Sequence, residues 1–254
     1  MADSSDKQMS FLGHLEELRW TVIWIVAATV AAAAVAWFVS DDIIVFLSND
    51  LAAILGRAHG GRGDYSLHVF EVSEAFTTKF KIALLVGFLG ALPLSVYKVW
   101  RFVSPGLFTR ERRAVGPLIL LSISLFYAGV AFAYFVMVKI TVAFLFKMMP
   151  PSVVATVRLG SYISFVTKFC LTFGLVFQMP LVLALLAWLG IVPARALKKT
   201  WRYAIVGILI IAAVLTPPDV VSQTLMAVPM LVLYWIGYLL ARSFERRGAR
   251  RVSS

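Results

Sequence analysis

Two short stretches of this chain place carboxylates among basic residues at the edges of long apolar runs. In "FLGHLEELRWTVIWIV", residues 11–26, Glu16 and Glu17 stand one turn ahead of an apolar run. In "VWRFVSPGLFTRERR", residues 99–113, Glu111 stands among Arg110, Arg112 and Arg113, after a rigid turn set by Pro105 and Gly106. The chemistry open to such groups is recognition. A carboxylate accepts a guanidinium through two charge-assisted hydrogen bonds, and arginine neighbours keep Glu111 ionised. Each acid also has a plainer reading. Glu16 is spaced for an exposed pair with Arg19, and for Glu16 that reading is preferred. Glu17 compensates the dipole of a first helical turn, an effect of about 0.3–1 kcal/mol. Glu111 pairs with an adjacent arginine for little net gain. Glu17 shares a helix face with His14 and Thr21, while Phe11, Leu15 and Leu18 line another. The stretch "FLGHLEELRW" therefore reads as a half-buried amphipathic start to a span, and the pattern alone leaves both readings of Glu17 open.

Catalytic chemistry finds no support. Cys170 is the one cysteine, so neither an internal disulfide nor a thiol metal cluster is expected. His14, His59 and His68 are scattered and lack HExxH spacing, so no metal is expected. There is no GxxxxGK[ST] loop and no Ser/His pair placed for a triad. The expectation is a protein that is not an enzyme and carries no cofactor.

The elements that position the acids follow from composition. Of 254 residues, 61% are hydrophobic and 15% charged, against roughly half and a quarter in soluble domains. The fold class expected is all-α, a polytopic membrane protein. A bilayer core of ~30 Å needs about 20 apolar helical residues. Six runs qualify as spans: Trp20–Val39, Ile82–Val99, Ala114–Val138, Phe169–Ile191, Tyr203–Leu215 and Val220–Leu240. The second and fifth are short, and the fifth covers only about 20 Å. A re-entrant fifth and sixth pair is the alternative.

Lysine and arginine orient the spans. One face carries 16 Lys and Arg against 6 Asp and Glu, a net +10; the other carries 8 against 7, a net +1. The basic face is expected to be cytoplasmic, and with it both termini. A cationic ligand is repelled there except where acids concentrate, and Glu16, Glu17 and Glu111 are nearly the whole supply. Residues 1–254 are expected to form a single integral membrane domain, with about 1–10 an N-terminal tail and about 242–254 a basic cytoplasmic tail. Residues 40–81 read as a long outer loop with a flexible tip at "GRAHGGRGD". The stretch "TVAFLFKMMPPSV" reads as a short interfacial helix stopped by Pro150 and Pro151. The tail "ARSFERRGARRVSS" reads as unstructured.

No ionisable residue is expected near the centre of a span; Lys168 is read as starting the fourth and snorkelling outward. What remains is neutral or peripheral: Gln178, roughly 15 Å beyond Lys168, and Thr216, Asp219 and Gln223 around "TPPDVVSQ". Gln178 offers either a structural interhelical hydrogen bond of about 1 kcal/mol or a polar contact for a partner helix.

"HLEELR" before the first span, "FVSPGLFTRERR" after the second and "LTPPDVVSQTLMAVP" between the fifth and sixth resemble the TatC family, the core receptor of the twin-arginine protein translocation system. "FYAGVAFAYFV" and "SYISFVTKFCLTFGLVFQMP" resemble the same family, and the match is collinear over residues 11–240. The resemblance implies a receptor in the cytoplasmic (inner) membrane of a prokaryote that binds twin-arginine signal peptides of folded cargo. It maps the signal-peptide site onto Glu17 and Glu111, with Arg19, Phe102 and Arg113 nearby. It implies TatA-like and TatB-like single-span partners, an oligomer, no nucleic acid, export driven by the proton-motive force, and a bundle like a cupped hand with short fifth and sixth spans. Two positions depart from the family pattern: Gln178 stands where a membrane-embedded Glu is common, and "FLSNDLAAIL" lacks the proline often found early in the first outer loop. A small-solute secondary transporter is the alternative function, and a purely structural scaffold for partner helices is a third.

Overall fold

The computed structural model describes residues 11–58, 67–103, 115–148, 156–215 and 220–252. Helix α1 is Phe11–Ala36, followed by a 3-10 turn, Trp37–Val39, and α2, Ser40–Ala58. Strand β1 (Leu67–His68) precedes α3 (Val72–Val103). Helix α4 (Val115–Phe132) passes through a π-helical segment, Ala133–Val138, into α5 (Lys139–Lys147). Strand β2 (Val157–Arg158), α6 (Leu159–Val176), α7 (Met179–Trp188), α8 (Ala194–Leu215) and α9 (Val220–Val252) complete the order. The two short strands pair in parallel, Leu67 with Val157 and His68 with Arg158.

Among the described residues, five helical stretches are long and apolar enough to cross a membrane: Gly13–Arg57, Val72–Val103, Gly116–Lys147, Leu159–Trp188 and Val220–Ser243. Helix α8 is excluded by charge. Four of its first nine residues are Arg195, Lys198, Lys199 and Arg202, which leaves a short apolar run, as the sequence leads one to expect.

The chain divides into two compact units, Met1–Ser40 with Ala83–Ile123, and Asp41–Ile82 with Ser124–Ser254. In the first, α1 is barely covered: 6% of its apolar window is buried. Val22, Trp24, Val26, Val30 and Val35 all face outward, a surface suited to lipid tails and not to water. Helices α3 and α4 are pinned within this unit by Trp100, whose buried indole N–H donates to Ser122 Oγ at 2.9 Å.

The second unit is built on Ile163, Phe169 and Phe173 of α6, which are fully buried together with Ala133, Val138, Ala212 and Met230. Phe132 at the end of α4 meets Phe173 and Phe177 with ring centroids 5.6 Å apart in each case. The break between α6 and α7 follows from Pro180, which cannot donate to the Val176 carbonyl and whose ring crowds it. Helix α7 ends at Gly190, whose φ of 71° suits only a residue without a Cβ. Ala187, Ala194, Leu197, Tyr238 and Ala241 then form one buried cluster joining α7, α8 and α9. Tyr234 Oη donates to the Leu197 carbonyl at 2.7 Å, and Glu245 Oε1 accepts the Ala194 N–H, so a carboxylate from α9 caps α8.

Four local expectations differ from what is found. The second span, expected to be short, lies in the 32-residue α3, Val72–Val103. The segment 40–81, expected to be an outer loop, is largely helical among its described residues, because "SDDIIVFLSNDLAAILGRA" is amphipathic and begins with acids at a helix start. The fourth span begins at Leu159, not Phe169, so Lys168 is the tenth residue of α6 and lies inside the span. The basic tail is helical to Val252, in keeping with its Ala, Arg and Glu content and the packing of Ala241.

Candidate functional site

The amphipathic start of α1 and the end of α3 lie in the same unit. His14 stacks on Phe102, with centroids 4.2 Å apart and planes 12° from parallel. One helical turn on, Glu17 is half-buried, and its Oε2 lies 3.9 Å from His14 Nδ1, beyond hydrogen-bond reach. That oxygen is enclosed yet accepts no hydrogen bond among the described residues. His14 thus stands between Phe102, on which it stacks, and a Glu17 carboxylate with one unmatched oxygen. An enclosed acceptor without a donor costs free energy until a donor arrives.

The other predicted residues fall differently. Arg19 lies two positions from Glu17, about 200° around the helix, and its guanidinium sits over the Trp20 ring at 5.7 Å. Glu16 is exposed and makes no ion pair with Arg19 among the described residues. Lys98 sits over the Trp24 ring at 5.1 Å. Glu111 and Arg113 lie outside the described residues, as do Thr216 and Asp219. Gln178 is half-buried at the break between α6 and α7. Gln223 Nε2 donates to the Leu209 carbonyl at 3.0 Å, tying α9 to α8.

A second group of polar contacts was visible in the sequence only as a balanced charge count. Glu74 in the first turn of α3 is buried and accepts the Phe70 N–H at 2.9 Å and the Gly160 N–H at 2.8 Å. Arg158 Nε meets the same carboxylate at 3.0 Å, and Arg158 Nη2 reaches Glu71 at 2.9 Å. Lys79 pairs with Asp41 at 2.6 Å, and Lys81 Nζ donates to Ser164 Oγ at 2.9 Å. Asp50 of α2 accepts Tyr134 Oη at 2.7 Å and Lys139 Nζ at 2.9 Å. Apart from the Phe70–Glu74 bond, these contacts join residues 38 to 89 positions apart, beyond the reach of local spacing. The one local hint was "EVSE", residues 71–74, whose acids are three apart at a helix start.

The helices and this distribution of charge define a multi-pass α-helical membrane protein. A profile of the family described as "Sec-independent protein translocase protein (TatC)" matches residues 13–229. A Sec-independent protein translocase protein TatC of Azotobacter chroococcum mcd 1 is 37% identical over 243 residues, spanning 96% of this chain and 93% of the relative. TatC of Escherichia coli strain K12 is 34% identical over 248 residues, 98% of this chain and 94% of that one. The protein TatCy of Bacillus subtilis strain 168 is 32% identical over 244 residues, 96% and 92%. A crystal structure of the twin-arginine translocase receptor TatC superposes with a TM-score of 0.80 at 34% identity, covering 91% of this chain and 99% of that one. This chain belongs to the TatC family. Its α8 is accordingly the short fifth of six spans, and the all-α polytopic class is the one the sequence leads to.

Proposed function

We propose that this chain is the signal-peptide receptor and core subunit of a twin-arginine protein translocase. In this reading the basic face and both termini are cytoplasmic, in the inner membrane of a prokaryote, and residues 1–254 act as one integral membrane domain. Glu17 and Glu111 receive the paired arginines of a signal peptide, with Arg19, Phe102 and Arg113 around them. Gln178, Thr216, Asp219 and Gln223 offer polar contacts to TatA-like and TatB-like single-span partners. The protein works as an oligomer and catalyses no covalent step; the proton-motive force drives export.

The observation that carries the reading is Glu17 Oε2, enclosed beside His14 and Phe102 with no hydrogen bond among the described residues. A guanidinium supplies what that oxygen lacks, two parallel N–H donors and a charge. Phe102 and His14 supply a flat surface on which a guanidinium stacks. The surrounding net charge of +10 repels cationic segments elsewhere on this face. Small-solute transport, the alternative, has no support in the family to which the chain belongs.

The test is export in a host strain deleted for its own TatC-type protein. The wild-type chain, expressed with its neighbouring single-span subunits, is expected to export a folded reporter bearing a twin-arginine signal and to leave a twin-lysine version inside. Glu17→Ala and Glu111→Ala are each expected to reduce export. Equal export of both reporters, or full export by the double variant, would remove the receptor site from these residues.

A further inference from the structure

A cleft of roughly 630 Å³ opens in the second unit, lined by residues of α3, β2, α6 and the end of α8. One end is electrically closed: Arg158 is matched by Glu71 and Glu74. The other end is not. Among the described residues, Lys81 meets only the neutral Ser164 hydroxyl. Lys168, exposed on the same cleft, has no hydrogen bond or ion pair among the described residues. The five charged side chains of the lining sum to +1, and the surplus lies between these two ammonium groups.

Depth decides what kind of anion fits. Lys168 lies nine residues beyond Leu159 and Lys81 nine beyond Val72, each about 13 Å along its helix. Both belong to helical stretches long and apolar enough to cross a membrane. An unmatched ammonium inside a span is costly and is kept where a partner or a polar cavity receives it. Thr77, Ser161 and Ser164 add hydroxyls to the wall, while Phe165, Val214 and Leu215 make its remainder apolar. Cations, hydroxyls and an apolar strip at one depth match an amphiphile with an anionic head.

We propose that this cleft binds the phosphate headgroup of an anionic phospholipid. Lys81 and Lys168 are its cationic contacts, and the acyl chains run beside Phe165, Val214 and Leu215. The occupied leaflet is the one bordering the paired strands β1 and β2. The signal-peptide reading plays no part in the argument, so the two proposals stand or fall separately.

The experiment is native mass spectrometry of the delipidated full-length protein, titrated with phosphatidylglycerol, phosphatidylethanolamine, glycerol 3-phosphate and inorganic phosphate. Phosphatidylglycerol is expected to bind about tenfold or more tightly than phosphatidylethanolamine. Lys81→Gln and Lys168→Gln are each expected to weaken it by about tenfold, one charge-assisted contact apiece. Lys168→Arg, which keeps charge and reach, is expected to retain binding and separates lost contact from lost fold. Lys98→Gln, in the other unit, is expected to change nothing. Equal binding of the two lipids, or indifference to both Gln variants, overturns the proposal. So does saturation by inorganic phosphate or glycerol 3-phosphate at the concentrations that saturate phosphatidylglycerol, which would make the ligand a soluble phosphate.

Discussion

Asp50 offers a graded test of how the second unit is held together. The carboxylate is 19% exposed and receives Tyr134 Oη at 2.7 Å and Lys139 Nζ at 2.9 Å. It thereby ties α2 to the π-helical segment and α5. Asp50→Ala strands both donors. An unsatisfied, part-buried hydroxyl costs about 1–3 kcal/mol. The ammonium, 35% exposed, reaches water and adds only about 0–1 kcal/mol. The sum is about 1–4 kcal/mol, and at about 2–4 °C per kcal/mol for a chain of this size the Tm falls by roughly 2–16 °C. Asp50→Asn keeps an acceptor for Tyr134 and gives up only the charge, so the expected fall is at most about 4 °C. Cys170 supplies the assay. It is the one cysteine and lies buried in α6, so a thiol-reactive fluorogenic dye reports the opening of that helix. Combining Asp50→Ala with Tyr134→Phe is expected to cost less than the two separately, by about 1 kcal/mol, since the hydroxyl is no longer stranded. An Asp50→Ala melt within about 1 °C of wild type, or an Asn variant as impaired as the Ala variant, would refute this account.

Three further outcomes follow. Glu245→Ala removes the cap from α8 and is expected to cost about 1 kcal/mol, with faster amide exchange confined to the first turn of α8 and the α9 segment facing it; Glu245→Gln, which keeps an acceptor, recovers most of the protection. Gly160→Val places a side chain on Glu74, since a Cβ there falls 2.9 Å from Glu74 Oε1; the carboxylate must give up the Gly160 or Arg158 contact, and protease sensitivity around 67–71 and 157–160 is expected to rise while the core melt moves little. Gln178→Glu, which restores an acid at the α6–α7 break, is expected to leave export of the twin-arginine reporter within about threefold of wild type; a loss of more than about tenfold, about 1.4 kcal/mol, would show that the neutral amide is required.

The fold was legible where hydropathy and charge act over long windows. Six apolar runs and the basic bias of alternate connections give the class and the crossings, and the shortness of the fifth span shows in its four early cations, Arg195 to Arg202. Boundaries set by single contacts were not legible. Nothing local says that α6 starts at Leu159, because that start rests on Gly160 donating to Glu74, 86 residues away. The helical tail was misread for a similar reason: Ala241 packs on Ala194 and Leu197, and Glu245 reaches Ala194, both far off in sequence. In the candidate site, i and i+3 spacing placed Glu17 beside His14, and the pairing is found at 3.9 Å. The stacking of His14 on Phe102, 88 positions away, has no periodic signature. Lys168 shows the reverse error: a charge assigned to the end of an apolar run turned out to lie within the helix, facing a cleft that only the tertiary fold creates.

The most direct test of the central claim is equilibrium binding of a twin-arginine signal peptide to the purified protein in detergent, beside a twin-lysine peptide. Charge-assisted pairs at a part-desolvated site contribute about 1.5–3 kcal/mol each. Glu17→Ala and Glu111→Ala are therefore each expected to raise the Kd of the arginine peptide by roughly ten- to a hundredfold. The lysine peptide, lacking the bidentate fork, is expected to bind weakly to all three proteins. An arginine-peptide Kd that is the same for wild type and both variants, or equal to that of the lysine peptide, would contradict the account.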